Sequence, residues 1–280
     1  MPHRKIAPRR AAPTFALLEL PAEIRNLIYA FALTAPSGLR VRWQASTHRR
    51  RKKPVMLDAS TSHPINQLQY ASKQLRRETA GLEIQYNLVT FGAFASRHES
   101  ALKGLFVFAG RCTPKTLQWL SHVEVREPAN DVRSQAVWIH DNMPRLLELL
   151  EFCGRNPHIA VGFRLPGYAV KHSGYRFLQD GIFLSRALRG VDVSFLDCHD
   201  GQEYEAKVEH VLEERRGQML RLGRQATNLR ILPQETDVDA KTLNEMVRAS
   251  KQMTRTPKHL LSVRAAEWER YAKTWVEEGI

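Results

Sequence analysis

Cysteine is scarce: the 280 residues hold three, Cys112, Cys153 and Cys198, and no CxxC pair. Neither a disulfide framework nor a zinc clip is supported, and an intracellular, reducing compartment is the expectation. Long apolar runs are missing as well. An uninterrupted stretch such as Leu105 to Ala109 is far below the roughly 18 apolar residues that span a bilayer. No transmembrane helix and no membrane partner are expected. The first 15 residues contain five basic residues, counting His3, and three prolines, but no apolar core of a secretory signal. The same prolines oppose the amphipathic helix of a mitochondrial presequence. Catalytic vocabulary is equally thin, with no Gly-rich phosphate cradle, GxSxG elbow or HExxH pair. The eleven histidines and three cysteines show no grouping that closes a four-ligand zinc site. No catalytic residue, metal or cofactor is therefore assigned, and a non-enzymatic role is expected.

What is present is an ordinary globular composition under an unusual charge. Hydrophobic residues at 43% and charged residues at 25% exclude a chain that is disordered throughout. The net charge of +13 is unevenly spread. Residues 1–55 carry 12 Lys+Arg and two acids, a net +10, which leaves +3 for residues 56–280. Two segments make the excess: a tail with Arg4, Lys5, Arg9 and Arg10, and the run Arg49, Arg50, Arg51, Lys52, Lys53 before Pro54. Such a run serves as a nuclear import signal, a phosphate-binding handle or simply a solvated loop.

Organisation follows from periodicity. Pro21 suits the first position of a helix, and Ile24, Leu27, Ile28, Phe31 and Ala32 recur on one stripe behind it, with Glu23 at the positive helix end. Pro36 and Gly38 end that helix and open a basic insertion, 34–63, in which Leu39, Val41 and Trp43 alternate as a short strand. A second helix is expected from Pro64 to about Tyr86, with Gly81 bending or dividing it. Leu88 to Phe91 reads as a strand, and Leu102 to Phe108 as a short buried element of either type.

Apolar alternation then recurs at Val123 and Val125, at Ile159, Val161, Phe163 and Leu165, at Val191, Val193 and Phe195, and at Leu229 to Leu232. Helical patterns fill the gaps, marked by Leu146, Leu149, Leu150 and Cys153, then Tyr175, Leu178 and Ile182, then a longer one through Tyr204, Met219 and Leu222. That rhythm predicts crossover units feeding a parallel sheet, since hairpins need shorter connections. The C-terminal part is helical, with Leu261, Ala265, Trp268, Tyr271 and Trp275 on one face. The densest reactive cluster, Asp197, Cys198, His199 and Asp200, follows the third strand candidate, but adjacent residues on extended chain point apart, and a turn is the simpler reading. His140 with Asp141, and His158, are likewise read as turn residues.

The segment Leu17-Leu18-Glu19-Leu20-Pro21-Ala22-Glu23-Ile24-Arg25-Asn26-Leu27-Ile28-Tyr29 resembles the opening of the F-box-like proteins of filamentous fungi, whose signature reads LPxEIRxxIY. Ser72-Lys73-Gln74-Leu75-Arg76-Arg77-Glu78 and Tyr86-Asn87-Leu88-Val89-Thr90-Phe91 resemble the second motif of that family, with one extra residue before the phenylalanine. The resemblance covers about residues 15–91. It implies a substrate adaptor: the Leu-Pro start and its helix dock on a Skp-type adaptor protein of a cullin ubiquitin ligase, while the C-terminal part holds a target protein. By position Leu20, Pro21, Ile24 and Ile28 are the anchors and Glu23 a rim contact, although the same stripe could pack on the chain's own second helix.

The expectation is thus an α+β protein with a disordered basic tail (1–14), an F-box-like helical region (15–91) carrying the insertion at 34–63, and a body (92–280). The body comprises irregular βα units around a small, partly parallel sheet, and C-terminal helices. Its expected role is protein interaction in nucleus or cytoplasm. The alternative is a basic nuclear protein that binds nucleic acid through its N-terminal basic segments.

Overall fold

The computed structural model describes residues 16–46, 49–92, 100–128, 135–165, 181, 184–190, 215–233 and 270–280. The tail 1–14, the candidate strand at Val191 to Phe195 and the cluster Asp197 to Gly201 lie outside them. So do most of the patterns at 175–182 and 261–269. Among the described residues no helix is long and apolar enough to cross a membrane.

The chain forms a mixed α+β fold on one six-stranded sheet in the order β2-β1-β3-β4-β5-β6. The strands are β1 (Leu39–Ser46), β2 (Arg49–Asp58), β3 (Val89–Phe91), β4 (His122–Arg126), β5 (Ala160–Arg164) and β6 (Leu229–Leu232). Only β1 and β2 are antiparallel; β1, β3, β4, β5 and β6 run parallel in chain order. Crossovers of one hand that always advance the same way leave their helices on one face. Pleating then separates the two faces cleanly. The registers put Leu39, Val89, Val123, Val161 and Leu229 in one row and Val41, Phe91, Val125, Phe163 and Ile231 in the next, and all ten side chains are buried.

That apolar face receives α3 (Ala101–Ala109) through Leu102, Leu105 and Phe108, and α5 (Gln135–Arg155) through Leu146, Leu149, Leu150 and Cys153. Helical residues 215–225 add Met219 and Leu222, and residues 270–278 add Ala272 and Trp275. Phe91 and Phe108 meet at 5.4 Å between ring centroids, an edge-tilted contact that adds to their burial. α4 (Pro114–Trp119) is capped by Thr113, whose hydroxyl accepts from the Thr116 amide at 3.1 Å, and leads into β4. Glu127, buried just after β4, accepts from the Ser100 hydroxyl and from the Ala101 and Leu102 amides, closing the N-terminus of α3.

The sheet crosses the boundary drawn at residues 91 and 92, since β3 and β4 are hydrogen-bonded neighbours. Three expectations need correction. The basic run Arg49–Lys53 is not a loop but part of edge strand β2, in which Lys53, Lys52 and Arg49 pair with Gln44, Ala45 and Ser46 of β1. The helix expected at 64–86 is broken into a 3-10 turn at Leu68–Tyr70, α2 (Lys73–Thr79) and a second turn at Leu82–Ile84. Ser72 is extended and caps α2 through the Leu75 amide, and Gly81 sits at φ +87°, so backbone geometry interrupts the apolar spacing on both sides. β5 and β6 pair directly, from Val161 with Leu229 to Arg164 with Leu232. His140 and Asp141 belong to α5, whose first residue is Gln135, rather than to a turn.

Candidate docking surface

α1 (Ala22–Leu33) begins after Pro21, which takes the N-cap position with extended ψ, one residue before the place expected for it. At 100° per residue the helix presents two directions. Arg25, Tyr29 and Leu33 lie along one; Ile24, Leu27, Ile28 and Phe31 lie along another, centred about 150° away. The first direction faces the chain itself. Tyr29 and Leu33 are buried with Leu75 of α2 in a small cluster that Leu17, Leu18, Leu68, Leu82 and Tyr86 flank.

A polar clasp locks that packing. The Arg25 guanidinium donates twice to the Glu78 carboxylate, at 3.0 and 3.1 Å, and to the Leu20 carbonyl at 2.6 Å. Tyr29 donates its hydroxyl to the same carboxylate at 2.6 Å, and Gln74 its amide at 3.0 Å. The Tyr29 hydrogen bond, then that of Gln74, with Arg25 in support, holds the Glu78 carboxyl below its ordinary range against a partly opposing burial. Burial, then the neighbouring Glu78, pushes the Tyr29 phenol up. Asn87 completes the joint: its amide donates to the Leu33 and Glu83 carbonyls at 2.6 and 2.7 Å, and its oxygen accepts from the Ala35 amide at 2.6 Å. The motif residues quoted from sequence, Arg25, Tyr29, Gln74 and Glu78, thus meet in space, while Asn87 ties the end of the same helix to the segment before β3. Gly38, at φ +72°, then starts β1, and a Cβ there would come within 2.7 Å of the Leu88 carbonyl oxygen.

The second direction of α1 is uncovered. Ile24 is 44%, Leu27 68% and Phe31 90% exposed, while Ile28 is half-buried. Of the other residues singled out from sequence, Pro21 and Glu23 are exposed beside this stripe and Leu20 is half-buried, its carbonyl committed to Arg25. Sequence reasoning named Ile24 and Ile28 as anchors but omitted Leu27 and Phe31, the two most exposed. Their signal was available, because i+3 and i+7 from Ile24 fall on the same stripe.

Other groups offer less. Burial pushes the Cys112 thiol up to about 11 and the Cys153 thiol up to about 12, so neither supplies a thiolate at neutral pH. His158 lies in a turn, its ring nitrogen 3.2 Å from the Leu117 carbonyl oxygen. A depression lined by Glu151, Gly154, Arg155 and Gln225 holds the Glu151 and Arg155 ion pair, at 3.6 Å, and no nucleophile among the described residues. No group of three or more metal-ligating side chains occurs among the described residues.

Comparison with known proteins returns no matching family model, no matching curated protein and no matching solved structure.

Proposed function

We propose that this chain is a non-enzymatic protein-interaction module that docks through the exposed stripe of α1, in the manner of an F-box-type substrate adaptor on a Skp-type subunit of a cullin ubiquitin ligase. The observation that carries the reading is Phe31, 90% exposed on a helix whose opposite side is held by the Arg25, Tyr29 and Glu78 clasp. An apolar side chain held out on an ordered helix loses free energy in water and regains it in a groove, about 1.5–3 kcal/mol for a Phe or Leu fully buried. Helix-in-groove recognition uses this i, i+3, i+7 spacing of anchors. Pro21 and Glu23 stand at the rim, where they set register more than affinity.

The finer reading of the fold is an F-box-like pair of helices, α1 and α2, interrupted by the β1 and β2 hairpin and followed by βα units. Residence in nucleus or cytoplasm belongs to the same reading. Co-purification of the full chain with a Skp-type adaptor tests it. Wild-type binding with loss in both Phe31→Asp and Ile24→Asp supports the docking surface; capture that survives both substitutions, or no capture at all, removes it.

A second reading, nucleic-acid binding, is favoured by one observation: the basic run Arg49–Lys53 is an ordered strand of a hairpin, a form in which ribbons meet phosphate backbones. Its affinity would fall steeply with salt. Absence of oligonucleotide binding at low salt eliminates it.

A further inference from the structure

We propose that the face of the sheet opposite its helices is a docking surface for an extended, carboxylate-rich peptide segment of another protein. The argument stands apart from α1 and does not need the adaptor reading.

Parallel sheets are ordinarily covered on both faces, and their strands then read as continuous apolar runs. Here the strands alternate instead. With the odd-numbered residues of β1, β3, β4, β5 and β6 on the helix side, the opposite face presents Arg40, Arg42 and Gln44 on β1, Thr90 on β3, His122, Glu124 and Arg126 on β4, Ala160, Gly162 and Arg164 on β5, and Arg230 with the apolar Leu232 on β6. Arg40, Arg42, Arg126 and Arg230 are exposed. Five guanidiniums therefore stand against a single carboxylate among the described residues of these parallel strands on this face.

That carboxylate shows what the face can hold. Glu124 accepts from Arg126 at 2.7 Å and from Arg164, and is 7% exposed beneath them. Burial pushes its carboxyl up, but the hydrogen bonds of Arg126 and Arg164 outweigh this and hold it below the ordinary range. The guanidiniums of Arg40, Arg42 and Arg230 have no hydrogen-bond or ion-pair partner among the described residues. A planar fork of donors suits a carboxylate or a phosphate equally in charge. The shortage of aromatics favours the carboxylates of a peptide over single-stranded nucleic acid: no Trp, Tyr or Phe lies on these parallel strands of this face, and His122 alone offers a ring to a base.

Geometry fits an extended chain. From β1 to β6 there are four strand spacings of about 4.8 Å, roughly 19 Å, the length of about six residues of extended peptide. Thr90 and Gly162 lie between the arginines in the row Arg40, Thr90, Glu124, Gly162, Arg230, where side chains are short, and Leu232 flanks Gly162, 3.7 Å from where a Cβ would stand there.

Fluorescence anisotropy of the full chain with a labelled peptide of alternating glutamate and serine tests this, with a single-stranded oligodeoxynucleotide of equal charge as competitor probe. In the triple variant Arg40→Gln, Arg42→Gln, Arg230→Gln, peptide affinity should fall about tenfold or more with an unchanged melting temperature. Glu124→Gln, which removes the competing carboxylate, should tighten peptide binding severalfold. Neutralising Arg49 to Lys53, or substituting Phe31→Ser, should change it by less than about threefold, small against the loss expected from the face. Peptide binding that ignores the triple variant, that vanishes only with residues 49–53, or that weakens in Glu124→Gln overturns the proposal. Tighter oligonucleotide binding lost in the same triple variant reassigns the face to nucleic acid and likewise overturns it.

Discussion

The N-terminal clasp and the sheet body solve the same problem with different chemistry. The body buries an unbroken apolar cluster that runs from Val41 through Phe163 to Trp275, whereas the clasp buries only Tyr29, Leu33 and Leu75. A cluster that small gains little from water exclusion and must still offset the conformational entropy of ordering α1. Charge-assisted hydrogen bonds make up the difference: one carboxylate, Glu78, gathers Arg25, Tyr29 and Gln74, and one amide, Asn87, ties the end of α1 to the turn before β3. The clasp is therefore specified by a few polar identities and the body by many interchangeable apolar ones.

Substitutions can sharpen or break this contrast. Phe163→Ala, fully buried on β5, should cost about 3–5 kcal/mol and lower the melting transition of the body. Asn87→Ala removes three hydrogen bonds at the joint and should cost about 2–4 kcal/mol, with hydrogen exchange rising most in residues 17–35. Glu78→Gln keeps the shape of the carboxyl but not its charge, and should cost about 1–2 kcal/mol because the pair is partly exposed. If it melts the body as far as Phe163→Ala does, the two regions are one cooperative unit and the contrast fails.

The clasp also carries a pH signature. A carboxyl held below its ordinary range stabilises the fold above the unfolded value and loses that stabilisation as pH falls through its folded one. Tyr29 acts at the other end, its raised phenol contributing until alkaline pH passes its folded value. Exchange protection of residues 17–35 should therefore drop in acid before the body unfolds, and Glu78→Gln should flatten that acid limb. The smallest effect belongs to Phe31→Ser, within about 0.5 kcal/mol by chemical denaturation, since the side chain touches solvent. A larger loss would mean that the stripe packs against the chain after all.

The strands were legible where one face is apolar and the other polar. Leu39 to Trp43, Val123 with Val125, Val161 with Phe163, and Leu229 to Leu232 fall in β1, β4, β5 and β6, and the crossover rhythm did indicate a parallel sheet. Helix α1 was legible from its stripe, but the pattern left open whether that stripe meets a partner or the chain's own second helix; the direction that packs inward is mixed, since Arg25, Tyr29 and Leu33 read as half polar. The helix expected at 64–86 failed because 3-10 turns repeat apolar residues at nearly helical spacing. β2 was hidden by charge, as five consecutive cations obscure any alternation. The pairing of β5 with β6 is a long-range fact that no local pattern encodes. The polar partners were legible as motifs but not as contacts, for Glu78 meets Arg25 across 53 residues.

The position of the cationic run on β2 has one more consequence. A sheet that grows by adding parallel strands in chain order leaves its first hairpin at the border, with backbone donors and acceptors ready to template another molecule. Two copies meeting edge to edge there would set Arg49 to Lys53 of each against the other, about 5 Å apart, at a cost that rises as salt is lowered. Like charge along that border disfavours such pairing, as charged side chains on an exposed edge strand do in general.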